Sequence, residues 1–194
     1  MSKADKYQKV ISKEDIGILD LGMYTGDIEY VKTEKALEKA CQEISNCLII
    51  GIDTETKPSF KKGVINSVAL LQIATDKKVY IIRLKLVNMS SELAAIFSNK
   101  EIMKVGIAIR DDLKDLKKIY PFNEKNVIDL NVLARQLGFE SIGAKKLSAL
   151  VLGIRISKRQ QVSNWESETL TQAQINYAAT DAWICREIYL RLVD

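Results

Sequence analysis

The sequence has 194 residues, with 29 Lys and Arg against 25 Asp and Glu, a formal net charge of +4, and 47% hydrophobic residues. That is enough chain for one good core in a soluble globular protein, and the mild positive charge suits a polyanionic partner. No apolar run approaches the roughly 18 residues that span a bilayer, and the charged start "MSKADKYQKVISKED" lacks the apolar segment of a signal peptide. No membrane association and a cytoplasmic location are therefore expected. There is no histidine, which excludes Ser-His-Asp and Cys-His catalysis, HExxH proteases and most catalytic zinc sites. The three cysteines, Cys41, Cys47 and Cys185, form no CxxC pair; Cys47 and Cys185 lie in apolar runs and read as buried thiols of a reducing compartment.

Residues 1–27 carry scattered turn signals and little periodicity, so an N-terminal arm is expected there. "TEKALEKACQEI" (33–44) has Ala36, Leu37, Ala40, Cys41 and Ile44 at helical spacing behind the N-cap residue Thr33. An apolar run at 48–53 predicts a buried strand, followed by strands over 65–74 and 78–84. Asp76-Lys77-Lys78 makes the last two a hairpin. A helix over 91–99 is capped by Ser90 or Ser91. A strand over 102–109 and a helix over 111–120 follow. A short strand over 126–130 then feeds the helix "LNVLARQLG", which Gly138 stops. Another helix covers 145–153, a basic loop follows, and a long final helix runs over 170–192, capped by Glu168 or Thr169. Five strands and their helices imply an α/β fold, a mixed sheet covered on both faces.

The chemistry lies in the carboxylates. Asp53 and Glu55 end the 48–53 strand, and residues i and i+2 of a strand share a face. Two such charges raise each other's proton affinity unless a cation lies between them; alternatively the strand simply ends and both groups reach water. Asp181 sits in the apolar stripe Ala178, Ile184, Cys185 and Ile188 of the final helix, where a carboxylate needs a partner. Tyr177, one turn earlier, shares that face. Within "VGIAIRDDLKDL", Leu113, Leu116 and Tyr120 form the buried stripe. Asp111 and Asp115 then fall on the wet side, and Asp112 flanks the sheet; an acid there is also an ordinary helix cap. Four carboxylates without histidine make a hard-oxygen set suited to Mg²⁺ or Mn²⁺, the setting for two-metal phosphoryl transfer.

Three motifs then resemble one family. "IIGIDTET", "VGIAIRDDLKDL" and "NYAATDAW" are similar to the first, second and third motifs of the DEDD 3′→5′ exonucleases. The Tyr-x-x-x-Asp form of the third resembles the DEDDy branch, which includes ribonuclease D and the Werner exonuclease domain. "SVALLQIAT", "KLSALVLG" and "SNW" fit as well, and the resemblance covers residues 28–194. It implies a ribonuclease H-like fold with a five-stranded mixed sheet, and a single exonuclease domain over 28–194. It implies Asp53, Glu55, Asp112 and Asp181 as ligands of two Mg²⁺ or Mn²⁺ ions, and Tyr177 as the residue that orients the attacking water. The implied reaction releases nucleoside 5′-monophosphates from a nucleic acid with a free 3′ end, with DNA favoured over RNA.

Lys57, Lys61 and Lys62 follow the metal-binding strand, and Lys158 and Arg159 precede Trp165. These are the candidate nucleic-acid contacts, each Lys being otherwise a solvated loop charge and Trp165 a packing residue. Any helicase or polymerase partner is expected on a separate chain. Two alternatives stand beside this reading. One is a binding module that kept the fold and lost turnover, which need not retain all four acids and the tyrosine. The other is a haloacid-dehalogenase-type phosphatase, which wants Asp where this chain has Glu55.

Overall fold

The computed structural model describes residues 3–59, 63 and 66–193. Helix α1 (Lys13–Ile18), strand β1 (Asp27–Val31) and helix α2 (Glu34–Ile44) lead into β2 (Ile49–Thr56), β3 (Val68–Ala74) and β4 (Lys78–Arg83). Next come α3 (Leu84–Val87), α4 (Ser91–Ser98), β5 (Met103–Gly106) and α5 (Ile109–Ile119). The strand β6 (Val127–Asp129), α6 (Leu130–Gln136), α7 (Ala144–Leu147) and the long α8 (Gln172–Val193) complete the chain. The strands form one mixed sheet in the order β1-β4-β3-β2-β5-β6. β3 runs antiparallel to both β2 and β4, and the other pairs are parallel. The architecture is ribonuclease H-like.

Among the described residues the sheet has six strands where the sequence reading counts five. The extra edge strand, Asp27–Val31, pairs with β4, and Lys78 Nζ reaches Glu29 at 2.9 Å across the pair. Only Val31 of this strand is fully covered, so it lacks the apolar run that marks β2. The segment before it packs on the body: Ala4 is buried, Leu21 bridges Arg155, and the Tyr24 amide donates to Thr180 Oγ1 at 3.0 Å.

Caps set most helix starts. Thr33 and Ser90 accept from the amides three residues on. The final helix starts later than expected because its cap is Thr171, not Glu168 or Thr169. Thr171 Oγ1 accepts from the Gln174 amide at 3.2 Å, and Gln174 Oε1 accepts from the Thr171 amide at 2.9 Å, a reciprocal capping box. The 102–109 strand likewise stops early, at Gly106. Ala108 takes a left-handed conformation (φ 58°) and the chain turns directly into α5.

β3 is buried on both faces, as befits a central strand. Beneath the sheet, Ile50 and Ile52 of β2 pack with Ile44, Phe97, Leu113 and Leu116 from α2, α4 and α5. Above it, α8 covers Leu70, Ala74 and Ile81 with Ala178, Ala179 and Ala182. Among the described residues no helix is long and apolar enough to cross a membrane.

Candidate active site

Strand alternation decides which way each β2 side chain points. Ile50 and Ile52 face the lower core, so Gly51, Asp53 and Glu55 face α8, and Thr54 faces α5. α8 can lie close because Gly51 has no side chain. A Cβ there would stand 2.2 Å from the Ala182 carbonyl oxygen and 2.9 Å from the Arg186 amide nitrogen. At this closest approach Asp181 comes over the strand end. Carboxylate oxygens of Asp53, Glu55 and Asp181 all lie within 4.8 Å of one another. Asp112 stands beside this group on the α5 side, accepting a short hydrogen bond from Thr54 Oγ1. Asp111 is exposed and Asp115 pairs with Lys118.

Asp53 is half-buried, and Glu55 and Asp181 are buried. Burial, then the charges of Asp181, Asp112 and Glu55, push the Asp53 carboxyl well above its ordinary value. Burial and the Asp181 charge push Glu55 up to about 9. Asp112 and Asp181 are each raised to about 6, chiefly by burial. The Lys158 charge acts in the opposite direction on Asp53, Glu55 and Asp181. Tyr177 donates its hydroxyl to Asp181, which lowers the acid, while burial and the acids raise the phenol. Its ring packs on Trp165, centroids 5.9 Å apart.

These groups bind protons more tightly than ordinary carboxyls chiefly because burial disfavours their charged forms; like charges add to the shift at Asp53 and Glu55, and Lys158 opposes it. The donors are carboxylate oxygens, the choice of a hard divalent cation, and a cation among them would favour the charged forms that burial and neighbouring acids disfavour. Asp53, Glu55 and Asp181 fit as its ligands, with Asp112 adjoining. The cluster is compatible with bound metal.

The cavity over the acids, about 250 Å³, is lined by Thr54, Lys158, Gln161, Tyr177 and Cys185 as well. Lys158 is therefore at the site, whereas Arg159 lines an adjoining cavity that shares Tyr177 and Asp181 with it. Lys57 is tied to Glu166 at 3.4 Å. Lys61 and Lys62 lie outside the described residues. Trp165 corrects the expectation of a base contact: it is fully buried, so no ring face is open for stacking.

Thr54, Gln161 and Arg83 escape the sequence reading. Arg83 is buried and clamps the basic loop, donating to the Ser167 carbonyl at 2.7 Å and to the Tyr30 hydroxyl at 2.5 Å. An arginine within the apolar run of β4 is the signal that could have found it. Gln72, directly opposite Asp53 on β3, is fully buried, and neither side-chain amide atom has a hydrogen-bond partner among the described residues.

A sequence model described as 3′-5′ exonuclease matches residues 28–194. The chain is 36% identical over 160 residues to a putative 3′-5′ exonuclease of Acanthamoeba polyphaga mimivirus, covering 74% of this chain and 39% of that protein. It is 29% identical over 168 residues to DNA polymerase I of Aquifex aeolicus, covering 87% of this chain and 28% of the polymerase. The chain thus spans well under half the length of either relative. Its fold superposes on the EXO domain of Aedes aegypti Nibbler with a TM-score of 0.81 at 26% identity, covering 88% of this chain and 90% of that one. With the family's model matching from β1 onward, the chain belongs to the 3′-5′ exonucleases.

Proposed function

We propose that residues 28–194 form a single domain that removes nucleotides from the 3′ end of a DNA strand, releasing nucleoside 5′-monophosphates, with Asp53, Glu55, Asp112 and Asp181 as metal ligands of the DEDDy type. The observation that carries this reading is the meeting of Asp53, Glu55 and Asp181 within 4.8 Å, beneath a tyrosine hydroxyl. When bound, two Mg²⁺ or Mn²⁺ ions supply a water-derived nucleophile and stabilise the leaving oxygen.

The chain's own residues do the rest. Tyr177, whose hydroxyl reaches Asp181, orients the water that attacks the terminal phosphorus as the bond to the 3′ oxygen breaks. Lys158, beside the acids, offsets phosphate charge. DNA is the expected polymer on the likeness to a DNA polymerase. Two free, buried thiols, Cys41 and Cys185, support a reducing, cytoplasmic setting.

The test is a 5′-labelled DNA or RNA strand incubated with Mg²⁺, Mn²⁺ or EDTA. A ladder shortening from the 3′ end, faster on DNA, abolished by EDTA and absent in Asp53→Asn, is the expected result. Cleavage that survives EDTA overturns the metal mechanism, and faster RNA cleavage overturns the substrate preference.

A further inference from the structure

β6 is an edge strand, paired with β5 on one side and ending the sheet on the other. The Lys104 amide donates to the Asn126 carbonyl at 2.9 Å. Alternation along the strand then turns the Val127 amide and carbonyl outward, away from β5. An open edge is a template for another strand, and proteins usually blunt it. Here a groove of about 930 Å³ runs along it. α5 packs beneath the sheet and α6 above it, so the two helices stand as walls on either side of the edge. The floor is aliphatic, made by Ile109, Leu113, Val127 and Ile128. The α5 wall presents Arg110, Lys114 and Lys117 at i, i+4 and i+7, with Lys118 beside them. The α6 wall presents Val132, exposed by 39%, and Leu133. Lys117 is held by Glu124 and Lys118 by Asp115. Arg110 and Lys114 are exposed and form no ion pair among the described residues.

We propose that this groove docks an extended, acidic segment of a partner protein, added to β6 as a further strand of the sheet. Successive side chains of an added strand point to opposite faces. Carboxylates on one face meet Arg110 and Lys114, the two cations left without a carboxylate. Aliphatic side chains on the other face meet Val132 and Leu133. The segment is recognised by alternating acidic and aliphatic residues, and main-chain hydrogen bonds to Val127 hold it in place. A nucleic-acid strand fits this groove less well. Among the described residues no aromatic ring lines it to stack a base, and Glu124 and Asp129 in its lining repel phosphate. The inference is independent of the exonuclease reading.

The test is binding of a short fluorescein-labelled peptide that alternates Glu and Val, read by anisotropy. Wild type binds it, and Arg110→Glu/Lys114→Glu weakens the Kd roughly tenfold, as reversal of two rim charges does. Lys77→Glu/Lys125→Glu, which reverses two exposed lysines outside the groove, changes the Kd much less. Val132→Glu, on the opposite wall, weakens binding as well. All these positions are exposed, so thermal melting stays close to wild type. Two further peptides carry N-methyl groups at every Glu or at every Val. Their amides point to opposite edges of the strand, so one version loses binding and the other keeps it. Equal binding of both versions overturns strand addition, and equal binding of a Lys–Val peptide overturns the acidic specificity. A wild type that ignores the Glu–Val peptide at millimolar concentration overturns the docking site. So does a single DNA strand whose Kd falls as far as the peptide's in Arg110→Glu/Lys114→Glu, which would make the groove a nucleic-acid path. Self-association in the ultracentrifuge that this variant abolishes would give the groove to a second copy and overturn the partner.

Discussion

Gly51 of β2 and Ala182 of α8 meet so closely that a Cβ on Gly51 would stand 2.2 Å from the Ala182 carbonyl oxygen. The acidic cluster depends on this contact, because Asp53 lies two residues along the strand and Asp181 one residue before Ala182. Gly51→Ala is expected to lift α8 from the sheet, costing about 1–3 kcal/mol as overpacking does, and to reduce turnover by more than the lost stability explains. Thermal melting and turnover, measured together, check this. Gly17→Ala, where a Cβ meets nothing within 4 Å, is the control. A Gly51→Ala protein with wild-type melting and turnover would show that α8 has room to spare.

Without divalent metal, the cluster makes the protein weaker at high pH. Glu55, raised to about 9, and Asp112 and Asp181, raised to about 6, bind protons more tightly folded than unfolded, where carboxyls titrate near 4. Their contribution to stability is therefore fully present below about pH 4 and is lost as pH rises through about 6 and then about 9. In EDTA the melting temperature should fall between pH 5 and pH 9. Mn²⁺ should restore most of it, with the larger gain at the alkaline end. A melting temperature that stays level across that range, or a Mn²⁺ gain undiminished in Glu55→Gln/Asp181→Asn, would contradict the electrostatic account.

Tyr177→Phe keeps the ring against Trp165 and removes only the hydroxyl that reaches Asp181. Turnover should drop roughly 10²-fold, the scale of a positioned catalytic group, with KM little changed. Stability should move by only about 1 kcal/mol, the worth of one hydrogen bond. Unchanged turnover at saturating DNA would remove Tyr177 from the reaction.

The two lysines should separate under salt. Lys158 lines the acid cavity, while Lys57 is already paired with Glu166. Lys158→Ala should raise KM and lower the salt slope of binding by about 1, and Lys57→Ala should do markedly less. Equal effects of the two would mean that substrate reaches over the β2–β3 connection instead.

Gln72→Leu should leave stability unchanged or improve it by about 1–2 kcal/mol, since the replaced amide is buried without partners among the described residues. A large loss on chemical denaturation would reveal a bond that this amide makes with Asp53 or with bound metal.

Much of the site is written locally. The run to Asp53 and Glu55, the stripe around Asp181 and the flank position of Asp112 follow from strand and helix periods, because those periods fix which side chains share a face. The hairpin at Asp76–Lys78 and the helix caps Thr33 and Ser90 rest on equally local chemistry. The capping box Thr171–Gln174 was present in the text too, but Glu168 and Thr169 compete with it, and only the hydrogen bonds choose. Strand β1 was less legible because one face of an edge strand needs few apolar residues. What the tertiary structure alone decided is distance. No local pattern says that Gly51 admits α8, that Thr54 reaches Asp112 from the opposite face, that Arg83 clamps a loop more than 80 positions away, or that Trp165 is sealed under Tyr177. These are packing outcomes between segments far apart in sequence, and they turn four separately readable acids into one site.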